Sequence, residues 1–73
     1  MPNIEVKSEV SGSVWKIETK PGQKIEAGDA IMVIESMKME IPVLADAAGT
    51  ILSFAVKEGD AITEGQTVAI LEI

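Results

Sequence analysis

Cysteine, histidine, arginine and tyrosine are all missing from this chain of 73 residues. Without cysteine, neither a disulfide nor a thiolate metal site can staple the fold, so an apolar core has to suffice. The missing histidine removes the commonest acid–base group and metal ligand. Aromatics are scarce as well, with only Trp15 and Phe54 among them. Six lysines face twelve carboxylates, giving a net charge of −6. Such a surface repels nucleic acid and anionic lipid, so neither is expected as a partner. No apolar run approaches the roughly 20 residues of a membrane span, and the opening Met1-Pro2-Asn3-Ile4 is unlike a signal peptide. The expectation is a soluble cytoplasmic protein, and a start at Met1 favours a separate polypeptide. A chain this short buries only about 60–65% of its unfolded surface, which leaves little for an enzyme cleft with walls and a lid.

What the chain does have is alternation. Ile4 and Val6 alternate with Asn3, Glu5 and Lys7. Ile31, Val33 and Glu35 alternate with Ala30, Met32 and Ile34, a run apolar enough to be covered on both faces. Further runs cover Ile41 to Ala45, Ile51 to Val56 and Val68 to Ile73. Turn signals separate them, such as Lys20-Pro21-Gly22, Ala27-Gly28-Asp29, Glu58-Gly59-Asp60 and Glu64-Gly65-Gln66. Glycine supplies the backbone freedom of a tight corner there, and Ser11-Gly12 and Ala48-Gly49 read the same way. No segment carries a helical apolar stripe. The expected fold class is all-β, with residues 1–73 forming one domain.

Runs and turns also repeat. A displacement of 37 positions sets Gly12 on Gly49, Lys20 on Lys57, Gly22 on Gly59 and Gly28 on Gly65, without a gap. Val14 falls on Ile51, Ile31 on Val68 and Ile4 on Ile41 in the same register. Two such halves are expected to pack about a pseudo-twofold axis as a flattened barrel or sandwich, each burying the face the other exposes. Ile25 and Ile62, each isolated between two glycines, would plug the two ends.

Lys38 stands where the halves meet, and its counterparts in the repeat are the chain termini. It lies in the segment Glu35-Ser36-Met37-Lys38-Met39-Glu40. Strands that end near Ser36 and restart near Glu40 leave Met37-Lys38 or Lys38-Met39 to reverse the chain. Two-residue hairpins favour Asn-Gly, Asp-Gly or Gly-x, because their central residues need φ > 0. A chain with glycine at nearly every other corner has none here, and departures of this kind are expected at functional sites. A plainer reading makes Met37 and Met39 core fillers and Lys38 a solvated charge between them. On the functional reading both methionines are partly exposed, their soft thioethers suited to recognition by more than one enzyme.

The segment resembles the attachment motif of biotinyl domains, the carrier modules of biotin-dependent carboxylases, whose usual form is Ala-Met-Lys-Met. The resemblance takes in essentially the whole chain, including the Gly22 and Gly28 turns, Ala48-Gly49, and the phrase from Glu58-Gly59-Asp60 to Glu64-Gly65. It departs at Ser36, where Ala is usual, a small-for-small change. It also lacks the thumb that some acetyl-CoA carboxylase carriers insert between early strands. The resemblance implies a barrel-sandwich hybrid of two four-stranded antiparallel sheets, with the lysine on a hairpin opposite Met1 and Ile73. It implies that Lys38 takes biotin covalently, through an amide made by a biotin protein ligase that reads Glu35, Ser36, Met37, Met39 and Glu40. Lysine attacks only as the free amine, so the ligase has to desolvate and deprotonate it. Biotin would then carry CO2 from a biotin carboxylase to a carboxyltransferase, with the tether raising effective concentration at both. The chain itself would contribute no catalytic groups.

Lipoyl domains of 2-oxoacid dehydrogenase complexes and of the glycine-cleavage system share this fold and set their lysine in Asp-Lys-Ala. Met37 and Met39 stand where that Asp and Ala would be, which points to biotin. A lipoyl carrier of such a system, taking lipoate alone or in addition to biotin, is the alternative, and an unmodified binding module is a third reading. The carboxylated acceptor is chosen by the carboxyltransferase, outside this chain.

Overall fold

The computed structural model describes residues 2–73, and in it the alternating runs become eight strands. These are β1 Asn3–Lys7, β2 Gly12–Ile17, β3 Lys24–Ile25, β4 Ala30–Ser36, β5 Met39–Leu44, β6 Gly49–Phe54, β7 Ala61–Ile62 and β8 Thr67–Glu72. One sheet runs β1-β8-β6-β3 and the other β5-β4-β2-β7, with every pairing antiparallel. The two four-stranded sheets implied by the resemblance are present, and β2 and β3 recur as β6 and β7 at the same displacement of 37.

Burial follows the repeat more closely still. Among the described residues, fourteen apolar and two hydroxyl residues are buried, and together they form eight pairs at that displacement. Val6 pairs in this sense with Val43, Val14 with Ile51, Ile25 with Ile62 and Ile34 with Leu71. Ile31, Ile34, Ile51 and Leu71 are fully buried, each worth about 2 kcal/mol in transfer free energy. Three pairs differ in chemistry: Ser8 with Ala45, Thr19 with Val56, and Met32 with Ala69. The buried hydroxyls are both satisfied, Ser8 Oγ donating to Val10 O at 2.7 Å and Thr19 Oγ1 to Ile31 O at 3.1 Å. An unpaired hydroxyl there would cost about 1–3 kcal/mol.

Two expectations need correction. The β4 run is not covered on both faces. A register shift against β5 between Ala30 and Met32 turns Ile31 and Met32 both into the core, leaving Val33 half-buried and Glu35 exposed. The counterpart of Ile31, Val68 in β8, slips likewise against β1, and a second matching pair of bulges, at Trp15 in β2 and Leu52 in β6, turns both side chains outward. Gly12 and Gly49, moreover, do not serve a left-handed corner; that conformation belongs to Gly22, Gly28, Gly59 and Gly65. The requirement at Gly12 and Gly49 is room, because a Cβ would collide with the backbone carbonyl oxygen of Glu35 or Glu72.

Hydrogen bonds fix which features share an end of the molecule. At the foot of β4 and β5, Gly28 N donates to Ala45 O and Ala45 N donates to Asp29 O, both at 2.9 Å. Nearby, Ile25 pairs with Gly49, which abuts Glu72 and Ile73, and Ile73 N donates to Pro2 O at 3.0 Å. The terminal strands therefore meet at this foot, and the β4–β5 hairpin tip lies at the other end of a body 36 Å long and 17 Å across. Met1, expected here beside Ile73, lies outside the described residues.

Candidate functional site

β4 and β5 are joined by two residues, Met37 and Lys38, directly above the Ser36–Met39 and Glu35–Glu40 pairs. Their φ values are 51° and 65°, and among the described residues no other non-glycine has positive φ. Left-handed conformation at both central positions is the type I′ geometry, whose twist matches the flanking strands. Without glycine it costs about 1 kcal/mol or more per residue. Of the two possible reversals, the fold uses Met37-Lys38, and Met39 opens β5.

The turn is fully presented to solvent. Met37 is 92% exposed and Met39 64%, so neither fills the core, and the core methionine is Met32. Lys38 is exposed at the apex. Beneath it, Ser36 Oγ donates to Ser11 O at 2.7 Å, and Glu64 N donates to Ser11 Oγ at 2.9 Å. The hairpin root is thereby tied to the β1–β2 and β7–β8 loops. The small-for-small account of Ser36 missed this bond, since alanine would leave the Ser11 carbonyl without that donor. No local signal in the sequence shows a contact that spans 25 positions.

Glu35 and Glu40 flank the root as a directly opposed cross-strand pair, both exposed. Among the described residues, no cluster of acidic, histidine or cysteine side chains is arranged to hold a metal. Chemically, the arrangement offers one primary amine on a short, stiff projection. Met37→Gly tests the stiffness. Relief of the left-handed cost should raise stability by up to about 1 kcal/mol, or a few degrees in melting temperature. The amides of Lys38 and Met39 should exchange faster with solvent deuterium. A lower melting temperature with unchanged exchange would show that the turn stores no strain.

A duplicated β-sandwich that displays one lysine on a strained hairpin, away from its terminal strands, is a carrier domain of the attachment type. The chain belongs to the biotin/lipoyl attachment family, whose model, described as "Biotin-requiring enzyme", matches residues 1–71. It is 41% identical over 65 residues to the biotin/lipoyl attachment protein of Bacillus subtilis, covering 89% of each chain. It is 40% identical over 67 residues to the biotinylated protein TB7.3 homolog of Mycobacterium leprae, covering 92% of this chain and 94% of that one. Among solved structures it resembles Kluyveromyces lactis urea carboxylase, with a TM-score of 0.93 and 33% identity. That match covers 99% of this chain but 6% of the carboxylase. Lipoyl-type proteins are among its relatives too.

Proposed function

We propose that Lys38 takes biotin through an amide at Nζ and that residues 1–73 act as the carrier domain of a biotin-dependent carboxylase in the cytoplasm. The observation that carries this reading is the Met37-Lys38 turn, which holds an exposed amine in left-handed geometry that neither residue favours. The residues present fit such a group, because Lys38 is exposed at the apex and the ladder beneath it is unbroken from Met32 to Ser36. Lys38 gives its proton to the ligase and forms the new nitrogen–carbon bond as the activating group leaves the carboxyl carbon. This removes one positive charge from a chain already at −6. Met37, Met39, Glu35, Ser36 and Glu40 form the surface a biotin protein ligase reads. When bound, biotin supplies a ureido nitrogen that carries CO2 between a biotin carboxylase site and a carboxyltransferase site. Those two enzymes supply the catalytic groups, and this chain supplies reach and presentation. The terminal strands at the far end leave room for a tether that does not obstruct the arm.

Lipoate, alone or in addition, is the second reading, favoured by the biotin/lipoyl attachment protein of Bacillus subtilis as a relative. Intact mass after expression in a host supplied with both biotin and lipoate separates the readings. A biotinyl increment on the whole chain supports the first, and a lipoyl increment the second. A bare chain after incubation with biotin protein ligase, ATP and biotin would return it to an unmodified module.

A further inference from the structure

A ligase that acylates Lys38 must choose it among six lysines, and all six are exposed. The amine carries no distinguishing chemistry, so the choice rests on the protein surface around the tip. The pseudo-twofold provides an internal control for locating that surface, because differences between the two outward faces were not needed to build the fold. Nearest the tip, Ser13, Glu35 and Glu40 lie side by side across β2, β4 and β5. Their counterparts at the far end are Thr50, Glu72 and Asn3. Among the described residues, two carboxylates stand directly opposed only beside Lys38, where like charges destabilise the free chain.

The next row differs in the opposite sense. The bulge in β2 sets Trp15 and Lys16 together against Val33, which pairs on its other side with Pro42. Leu44 lies two residues further along β5, and it and Trp15 are each 49% exposed. The counterparts of Trp15, Val33, Pro42 and Leu44 on the other sheet are Leu52, Ile70, Glu5 and Lys7. There the outer strand is charged, and Glu5 accepts a hydrogen bond from the Thr67 hydroxyl. The hairpin sheet thus has proline and leucine in place of a glutamate and a lysine, and the chain's single tryptophan in place of a leucine.

We infer that the outward face of the hairpin sheet is the docking footprint of the ligase that acylates Lys38. The ligase presents cationic side chains to Glu35 and Glu40 and an apolar patch to the Trp15–Val33–Pro42 row. The inference rests on the attachment reading above. Val33 lies three residue steps along β4 from Ser36, about 10 Å, so a ligase closed over the tip reaches the row without bending the domain. The acidic pair supplies charge complementarity and speeds encounter, and Trp15, covered only on docking, supplies affinity. Pro42 has no N–H to donate from its edge strand, so contact runs through side chains rather than by strand addition.

The test copies one face onto the other. Trp15→Leu, Pro42→Glu and Leu44→Lys introduce residues the fold already holds at equivalent positions and leave the net charge unaltered. With purified biotin protein ligase, ATP and biotin, this triple variant should show KM raised roughly ten-fold with kcat retained. Leu52→Ser, on the opposite face, should match the wild type. Unchanged KM in the triple variant, or an equal change in Leu52→Ser, overturns the footprint while leaving attachment at Lys38 intact. A wild-type chain that takes no biotin overturns both. Should the triple variant fold poorly, Trp15 replaced by 5-fluorotryptophan in the otherwise unaltered chain gives a second readout. Its fluorine resonance should move on addition of ligase, and an unmoved resonance overturns the footprint.

Discussion

Lys38→Ala should take up no biotin at all, and its melting temperature should match that of the wild type. The side chain is exposed at the apex, and surface substitutions away from special features stay within about ±0.5 kcal/mol. Alanine at φ 65° pays the same left-handed cost as lysine, so the turn geometry is expected to survive. The five remaining lysines are built-in controls, because Lys7, Lys16, Lys20, Lys24 and Lys57 are exposed as well. Lys20 and Lys57 occupy equivalent turns, where their backbone amides donate to the side-chain oxygens of Gln23 and Asp60. Incubation with biotin protein ligase, ATP and biotin, followed by intact mass, decides the matter. A biotinyl increment on the variant would place the modification elsewhere.

Gly12→Ala should be the most damaging single methyl in the molecule, together with Gly49→Ala. Each inserted Cβ meets a backbone carbonyl, of Glu35 or of Glu72, which cannot swing aside as a side chain would. Overpacking of this kind costs about 3 kcal/mol, and for a domain of this size that lowers the melting temperature by more than about 10 °C. The two variants should nevertheless differ in function. Gly12 abuts the strand that ends in the Lys38 turn, whereas Gly49 abuts the terminal strand at the other end. Biotin transfer measured well below both melting points should therefore slow in Gly12→Ala and remain near wild type in Gly49→Ala. Equal rates would show that the root of the hairpin has no part in presenting the lysine.

Much of this was legible from residue spacing because the core itself obeys the repeat. Ile25 and Ile62 look isolated in the sequence and are indeed end plugs, each 4% exposed on a two-residue strand. The Lys38 turn was legible for the opposite reason, as a corner where the expected glycine is missing. What spacing did not reveal depends on neighbouring strands. The bulges at Trp15, Ile31 and Leu52 arise where one strand slips against its partner, and a period-two pattern carries no trace of that slip. The role of Gly12 was hidden likewise, since its neighbour, the Glu35 carbonyl, comes from a segment 23 residues away. The Ser36–Ser11 bond belongs to the same class of distant contact.

The order β1-β8-β6-β3 has a consequence for how the protein comes into being on the ribosome. β8 is an inner strand of that sheet, bonded to β1 on one side and to β6 on the other. Until Thr67–Glu72 has emerged from the exit tunnel, the first strand made has no partner, and Ile31, Met32 and Ile34 wait for their mates Val68, Ala69 and Leu71. Long-range pairing of this kind delays folding until the chain segment that completes it is available. A copy that stops short of β8 thus carries the Lys38 hairpin on a body whose other sheet is split, with β1 parted from β6.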